Sequence, residues 1–250
     1  MMAVFSEHTA SLARGIADHD RDGHIAGIVG GALDECLPDR WCGRTSYDRR
    51  NISTQGLGEM DSHAQMQSMT PGRVLPHSAP VLCQALGRVG VIPGPGRNEY
   101  IPDFGCECGS LLIYVANYLR CRGVGFEVEP SRAAVARSLT AAVHEAWPAH
   151  PPRVSIIEAD FLTFPAAARV QAATIAIISD LKFDSRIVTT LMDALIMHCP
   201  WLMTIVKVQV LSVAHSAHFH SPVAVQLECS WSSNPVAFLL CRCHDARPDP

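Results

Sequence analysis

Apolar positions along the chain fall into two regimes. In residues 1–75 no period is sustained: Gly, Asp, Ser, Arg and His interrupt every short apolar run, and "STQGLGEMDSHAQMQSMTPG" reads mostly as loop. Short helices or partial flexibility are expected there, and no internal repeat is visible. Residues 76–245 behave differently. "SAPVLCQALGRVGV" has helical spacing, "GPGRN" turns the chain, "YIPDF" reads as a short strand, "SLLIYVANYLR" as a helix and "GVGFEVE" as a strand. "SRAAVARSLTAAVHEA" opens on Ser131, a good N-cap, and keeps a helical period. "RVSIIEADF" and "ATIAIISD" are continuous apolar runs of the kind found in strands buried on both faces. "SRIVTTLMDALIMH" predicts a helix and "LMTIVKVQV" a strand, and "PVAVQLECSW" with "NPVAFLLCRC" predicts two strands joined by a tight turn.

Alternating strands and helices predict an α/β fold, a mostly parallel, doubly wound sheet with helices on both faces and a closing antiparallel hairpin. Ligands of such sheets sit at the carboxyl ends of the strands.

Composition narrows the setting. With 250 residues, 48% of them apolar, one sizeable core can form. No apolar run reaches the ~20 residues of a membrane helix; the best candidate, residues 201–213, carries Lys207 and Gln209. Glu7 and His8 interrupt any signal-peptide stretch. A soluble intracellular protein without a membrane partner is expected. The ten cysteines form no C-x-x-C pair, so they read as small buried apolar residues rather than a disulfide framework. With 20 basic against 24 acidic residues and only Lys182 and Lys207 as lysines, no basic patch is evident, and direct DNA binding is expected to be weak.

The stretch "YIPDFGCECGS", residues 100–110, admits two chemistries. As a metal site, Cys106 and Cys108 need a second ligand pair, which Cys241, Cys243 and His244 with His215, His218 and His220 would have to supply. Their spacing is poor for a tetrahedron, and buried thiols with a polar histidine loop are preferred; no metal is expected. As a cofactor loop, the stretch lies between the first strand and its helix, where Gly105 and Gly109 let the backbone approach a ligand. The order Asp103-x-Gly105-x-x-x-Gly109 is the class I S-adenosylmethionine methyltransferase pattern with Glu107 in place of its middle glycine. Glu127, at the end of the second strand, can accept both hydroxyls of a ribose. Asp160, in "EADF" after the third strand, can accept from an adenine amino group, and Phe161 can pack on its ring. The features occur in the expected order, so the cofactor loop is the preferred reading. "DHDRDGHI" at residues 18–25 copies half of a calcium loop with Asp18, Asp20, Asp22 and Gly23. Its twelfth position is Val29 rather than a bidentate acid, and an acidic turn is expected.

"SWSSNPVAFLL", with "GFEVEPS", "EADFLTF" and "ISDLKFD", resembles the disruptor-of-telomeric-silencing family of histone-lysine methyltransferases, which use a class I fold rather than a SET domain. The resemblance covers roughly residues 78–243, and the hairpin is its most specific part. It implies S-adenosyl-L-methionine as cofactor, a lysine of a histone within the nucleosome as substrate and partner, and the nucleus as location. Residue by residue, it implies that Glu127 holds the ribose and that Asp160 and Phe161 lie at the adenine. Asp180, where the family has an asparagine, would stand beside the reacting methyl group, and Trp231 and Phe238 would line the lysine channel. "GEM" at residues 58–60 resembles part of the family's loop over the methionine end. Methyl transfer to a neutral amine needs alignment more than acid–base machinery, and aromatic walls suit a lysine stem. Glu107 and Asp180 depart from the family pattern, both adding negative charge near a partly cationic ligand. A class I methyltransferase with another substrate, and a non-catalytic scaffold with weakened cofactor binding, are the alternatives.

Overall fold

Short apolar runs ended by glycine or polar residues become the strands of one sheet. The computed structural model describes residues 29, 74–91, 100–146, 153–162, 170–180, 183–229 and 232–244. Five strands run parallel: β1 (Tyr100–Phe104), β2 (Arg122–Glu127), β3 (Val154–Glu158), β4 (Ile175–Ile178) and β5 (Thr204–Lys207). Two more, β6 (Val223–Leu227) and β7 (Val236–Arg242), pair antiparallel, and β7 also pairs antiparallel with β5. The order is β3-β2-β1-β4-β5-β7-β6. This is the doubly wound class I arrangement that the sequence predicts. The chain winds outward from β1 through β2 and β3, then from β4 through β5. The crevice for a ligand therefore opens where the loops after β1 and β4 diverge.

Four helices of ten residues or more accompany the described strands: α1 (Ala79–Arg88), α2 (Ser110–Leu119), α3 (Pro130–Ala146) and α4 (Ser185–His198). A single turn, α5 (Val213–Ser216), follows β5 and was not expected from the sequence. Alternate strand residues feed two cores. Ile101, Ile175, Ile177, Val206, Phe238 and Leu240 pack with side chains of α1, α2 and α3. Phe104, Val124, Phe126, Ile178, Ile205 and Cys241 pack with α4. Val29 is in the first core, so the twelfth position of the sequence's half calcium loop is a core side chain; residues 18–25 lie outside the described residues.

Three local expectations are corrected. β3 is an edge strand, so Ser155 and Glu158 are exposed and only Val154 is fully buried; its apolar run is not covered on both faces as β4 is. The hairpin strands are separated by residues 228–235 rather than a tight turn, and part of that connection is tied down by a Val74–Cys229 bridge and by the Leu75 amide donating to the Glu228 carbonyl at 2.9 Å. Helix α3 is capped by Glu129, not Ser131. Its carboxylate accepts from the amides of Ser131 (3.1 Å) and Arg132 (2.9 Å) and from the Ser131 hydroxyl (2.5 Å), with Pro130 at the first helical position.

The glycines of "GVG" in β2 make the site possible by letting neighbours close over the strand. A Cβ at Gly125 would lie 2.5 Å from Cys106 Sγ and 2.9 Å from Ile156 Cδ1. Gly125→Ala should therefore overpack this layer and cost about 1–3 kcal/mol in urea unfolding. Adding Cys106→Ala should recover much of the loss, and no recovery would mean the collision lies elsewhere.

Candidate functional site

The loop after β1 is built around the carboxylate that ends β2. Gly105, Glu107 and Gly109 all have positive φ (76°, 52° and 74°), so Glu107 takes the left-handed conformation that a glycine would adopt more cheaply. It is held there because its amide donates to Glu127 Oε2 at 2.9 Å. The amides of Gly105 and Cys106 both donate to the Phe126 carbonyl (2.9 and 3.0 Å). Glu127 Oε1 accepts from the Glu129 amide at 3.0 Å. Glu127 is thus 3% exposed, each oxygen taking one backbone N–H, with lone pairs left for further donors. These bonds wrap the loop after β1 around a buried carboxylate.

Two charged residues that sequence reasoning missed complete this end of β2. Arg132 places Nη1 4.0 Å from Glu127 Oε1 and Nε 3.9 Å from Glu129 Oε2. Burial opposes ionisation of Glu129, but hydrogen bonds from Ser131 and Arg132 and the Arg132 charge outweigh it and lower its pKa. The signal available was a proline after an acid, "EPS", which marks a helix start with the acid as cap.

Asp103, one residue before the strand end, is 2% exposed, and its Oδ1 has no hydrogen-bond partner among the described residues. Burial, and secondarily the Glu127 charge, push its pKa up to about 8. At neutral pH it is a buried, mostly neutral acid.

Asp160 is exposed, its Oδ1 accepting from the Leu162 amide at 2.9 Å. Phe161 is half-buried and meets Phe104 edge-on at 5.4 Å and Phe183 at 5.6 Å; Phe104 in turn stacks on Phe126 at 5.5 Å. The loop glycines, Asp103 and Glu127 are therefore brought together at the carboxyl ends of β1 and β2, and Asp160 and Phe161 follow the neighbouring β3.

Asp180 and Phe238 have structural partners of their own. Asp180 is fully buried. Its Oδ1 accepts from the amides of Val208 (2.7 Å) and Gln209 (2.9 Å), and Lys207 Nζ lies 2.8 Å from its Oδ2. That contact is an ion pair by distance, although Oδ2 makes no well-directed hydrogen bond. Lys207 also donates to the Gln209 carbonyl at 2.6 Å. This carboxylate, expected beside a reacting methyl group, is committed to tying the end of β4 to the end of β5. Phe238, expected as a channel wall, is 0% exposed in the first core, because β7 lies inside the sheet between β5 and β6. Trp231 and residues 58–60 lie outside the described residues.

Burial and local contacts set the state of the residues named in the metal alternative. Cys106 is buried, and burial first, then the charges of Asp103 and Glu127, raise its pKa well above that of an ordinary thiol. His215 is bound on both ring nitrogens, Nδ1 by Ser212 Oγ and Nε2 by Asp193 Oδ1, each at 2.9 Å. His220 packs edge-on against His244 at 4.2 Å. Among the described residues no three His, Cys, Asp or Glu side chains are placed to hold an ion.

No protein-family model and no curated protein sequence matches the chain. Solved structures with a similar course include an RNA methyltransferase from Salinibacter ruber bound to S-adenosyl-L-homocysteine, at 20% identity over 68% of this chain and 95% of that one, TM-score 0.43. A precorrin-6y C5,15-methyltransferase from Geobacter metallireducens matches at 15% identity over 67% and 86%, TM-score 0.45. The plantazolicin methyltransferase BpumL matches at 16% over 55% and 52%, TM-score 0.39. Likenesses this distant say nothing about activity, and the fold assignment rests on the sheet order itself.

Proposed function

We propose that the chain is an S-adenosylmethionine-dependent methyltransferase. The observation that carries this reading is the loop after β1 closing on the β2 carboxylate, through the Glu107 amide and Glu127, at the point where the sheet's winding reverses. The residues fit the cofactor: Glu127 has lone pairs for a ribose, Asp160 is exposed for an adenine amino group, Phe161 offers a ring face, and the orphaned Asp103 oxygen awaits a donor. Bound there, the cofactor would supply an activated methyl group on a sulfonium. The surrounding carboxylates suit its positive charge.

Glu127→Ala should weaken S-adenosylmethionine binding by about 1.5–3 kcal/mol, the value of hydrogen bonds to a charged group. Calorimetry checks this, with melting temperature measured alongside because Glu127 also holds the loop. Unchanged affinity in a folded mutant would mean the nucleotide lies elsewhere. Absence of binding to the unmutated chain would favour the scaffold alternative.

For the substrate we propose a lysine of a histone within the nucleosome, with the nucleus as location and only weak direct contact with DNA. The support is the hairpin sequence "SWSSNPVAFLL". A class I methyltransferase with another substrate is the second reading, favoured by the burial of Phe238 and the pairing of Asp180 with Lys207. Methyl transfer from labelled cofactor to nucleosomes, free histones, RNA and small amines, run in parallel, decides between them. Label on nucleosomal lysine supports the first; label only on another acceptor establishes the second.

A further inference from the structure

Phe183, which the sequence reading did not single out, occupies the crevice that the winding of the sheet creates. It follows β4, yet its ring lies on the bare backbone of Gly105 after β1: a Cβ at Gly105 would come within 2.6 Å of Phe183 Cζ. The ring therefore bridges the two loops that diverge at the β1–β4 switch point, the position where doubly wound sheets receive their ligands. It is half-buried, and Phe161 is its ring neighbour, tilted by 44°.

The main chain beneath this ring is fixed. The Phe183 amide donates to the Asp180 carbonyl at 3.1 Å, and its carbonyl accepts from Gln209 Nε2 at 3.1 Å. The Gln209 amide group also binds the Asp180 carbonyl, and Asp184 then caps α4 by accepting from the Arg186 amide at 2.8 Å. The backbone cannot follow a ligand without breaking these bonds. The side chain can, by a change of rotamer.

We propose that Phe183 is an aromatic gate: its ring covers the glycine loop at Gly105, and a nucleoside lying on that loop must displace it. The inference rests on the cofactor reading for the identity of the ligand. Its consequence is that the apparent affinity of the unmutated chain is reduced by the fraction of molecules in which the ring covers Gly105. Removing the ring removes that reduction.

The test is calorimetric titration of S-adenosylhomocysteine into the full chain and into Phe183→Ala, Phe183→Leu and Glu127→Ala. Phe183→Ala should bind roughly tenfold more tightly, and Phe183→Leu should fall between it and the unmutated chain. Glu127→Ala should bind more weakly. Binding by Phe183→Ala where the unmutated chain shows none would support the gate even more strongly. If the unmutated chain binds and Phe183→Ala binds equally or more weakly, the gate is wrong; weaker binding would make the ring a stacking platform. If none of the four binds at millimolar ligand, the cofactor reading fails and the gate with it. Melting temperatures taken on the same samples separate a lost fold from a lost site, and Phe183→Leu, which keeps most of the bulk, carries the test if the alanine variant is unfolded.

Discussion

Replacing Asp103 with asparagine should remove most of the loss of stability that the unmutated chain suffers between about pH 4 and about pH 8. The folded-state pKa of Asp103 is raised from 3.8 to about 8, first by burial and then by Glu127. Between those two values the folded chain keeps a proton that the unfolded chain has released. Stability from this group is therefore fully present below the lower value and is lost as pH rises towards the upper one. Each pH unit in that window is worth roughly 1.4 kcal/mol, or on the order of 4 kcal/mol between about pH 5 and about pH 8. Asparagine has nearly the same shape, does not titrate, and offers an amide in place of a neutral acid. Urea unfolding of both proteins across this range is the measurement, and the difference between the two slopes isolates Asp103 from every other group. Parallel curves would mean the carboxyl is solvated or paired in solution. The same proton bears on function. A cationic ligand in the crevice would draw Asp103 towards ionisation, so binding should release protons near neutral pH and tighten as pH rises, and Asp103→Asn should abolish both effects.

The sheet was legible because its strands are short apolar runs set between strong helix patterns, and periodicity reports that directly. The acids at strand ends were legible for a related reason: a strand end fixes where the next residue sits. Less legible was what side chains far apart in sequence do to one another. Phe238 alternates correctly on β7, but with both faces of the sheet covered, apolar character cannot distinguish a core ring from a channel wall. β3 reads as apolar as β4, and only the sheet order makes it an edge. Phe183 lies in the stretch "ISDLKFD", but its contact depends on the glycine across the crevice. Asp180 did carry a signal, and it was missed. Lys207 is one of two lysines in the chain and stands inside the apolar run "TIVKVQV", where a buried ammonium requires a carboxylate partner. The register pairs Ile178 with Lys207, which brings Asp180 within reach.

That pair makes the second large effect. Lys207→Met should destabilise the chain by about 3–5 kcal/mol, because it leaves Asp180 as a buried charge with two amides but no counter-ion. Lys207 and Asp180 are 1% and 0% exposed by side chain, so water cannot substitute for the lost partner. Against a total stability of roughly 5–15 kcal/mol for a domain, that is close to a loss of folding at warm temperatures. The double mutant Asp180→Asn with Lys207→Met should recover most of the loss. Asparagine's side-chain oxygen can still accept from the Val208 and Gln209 amides, and neither charge remains. Urea unfolding of the two single mutants and the double mutant gives the coupling energy directly. A structural pair predicts a coupling of several kcal/mol and a double mutant that still binds S-adenosylhomocysteine. The sequence-based role beside a methyl group predicts the reverse: small coupling, near-normal folding of Asp180→Asn, and methyl transfer lost. Lys207→Met costing under about 1 kcal/mol would show that the ammonium escapes to solvent, and the tie between β4 and β5 would then rest on the two amides alone.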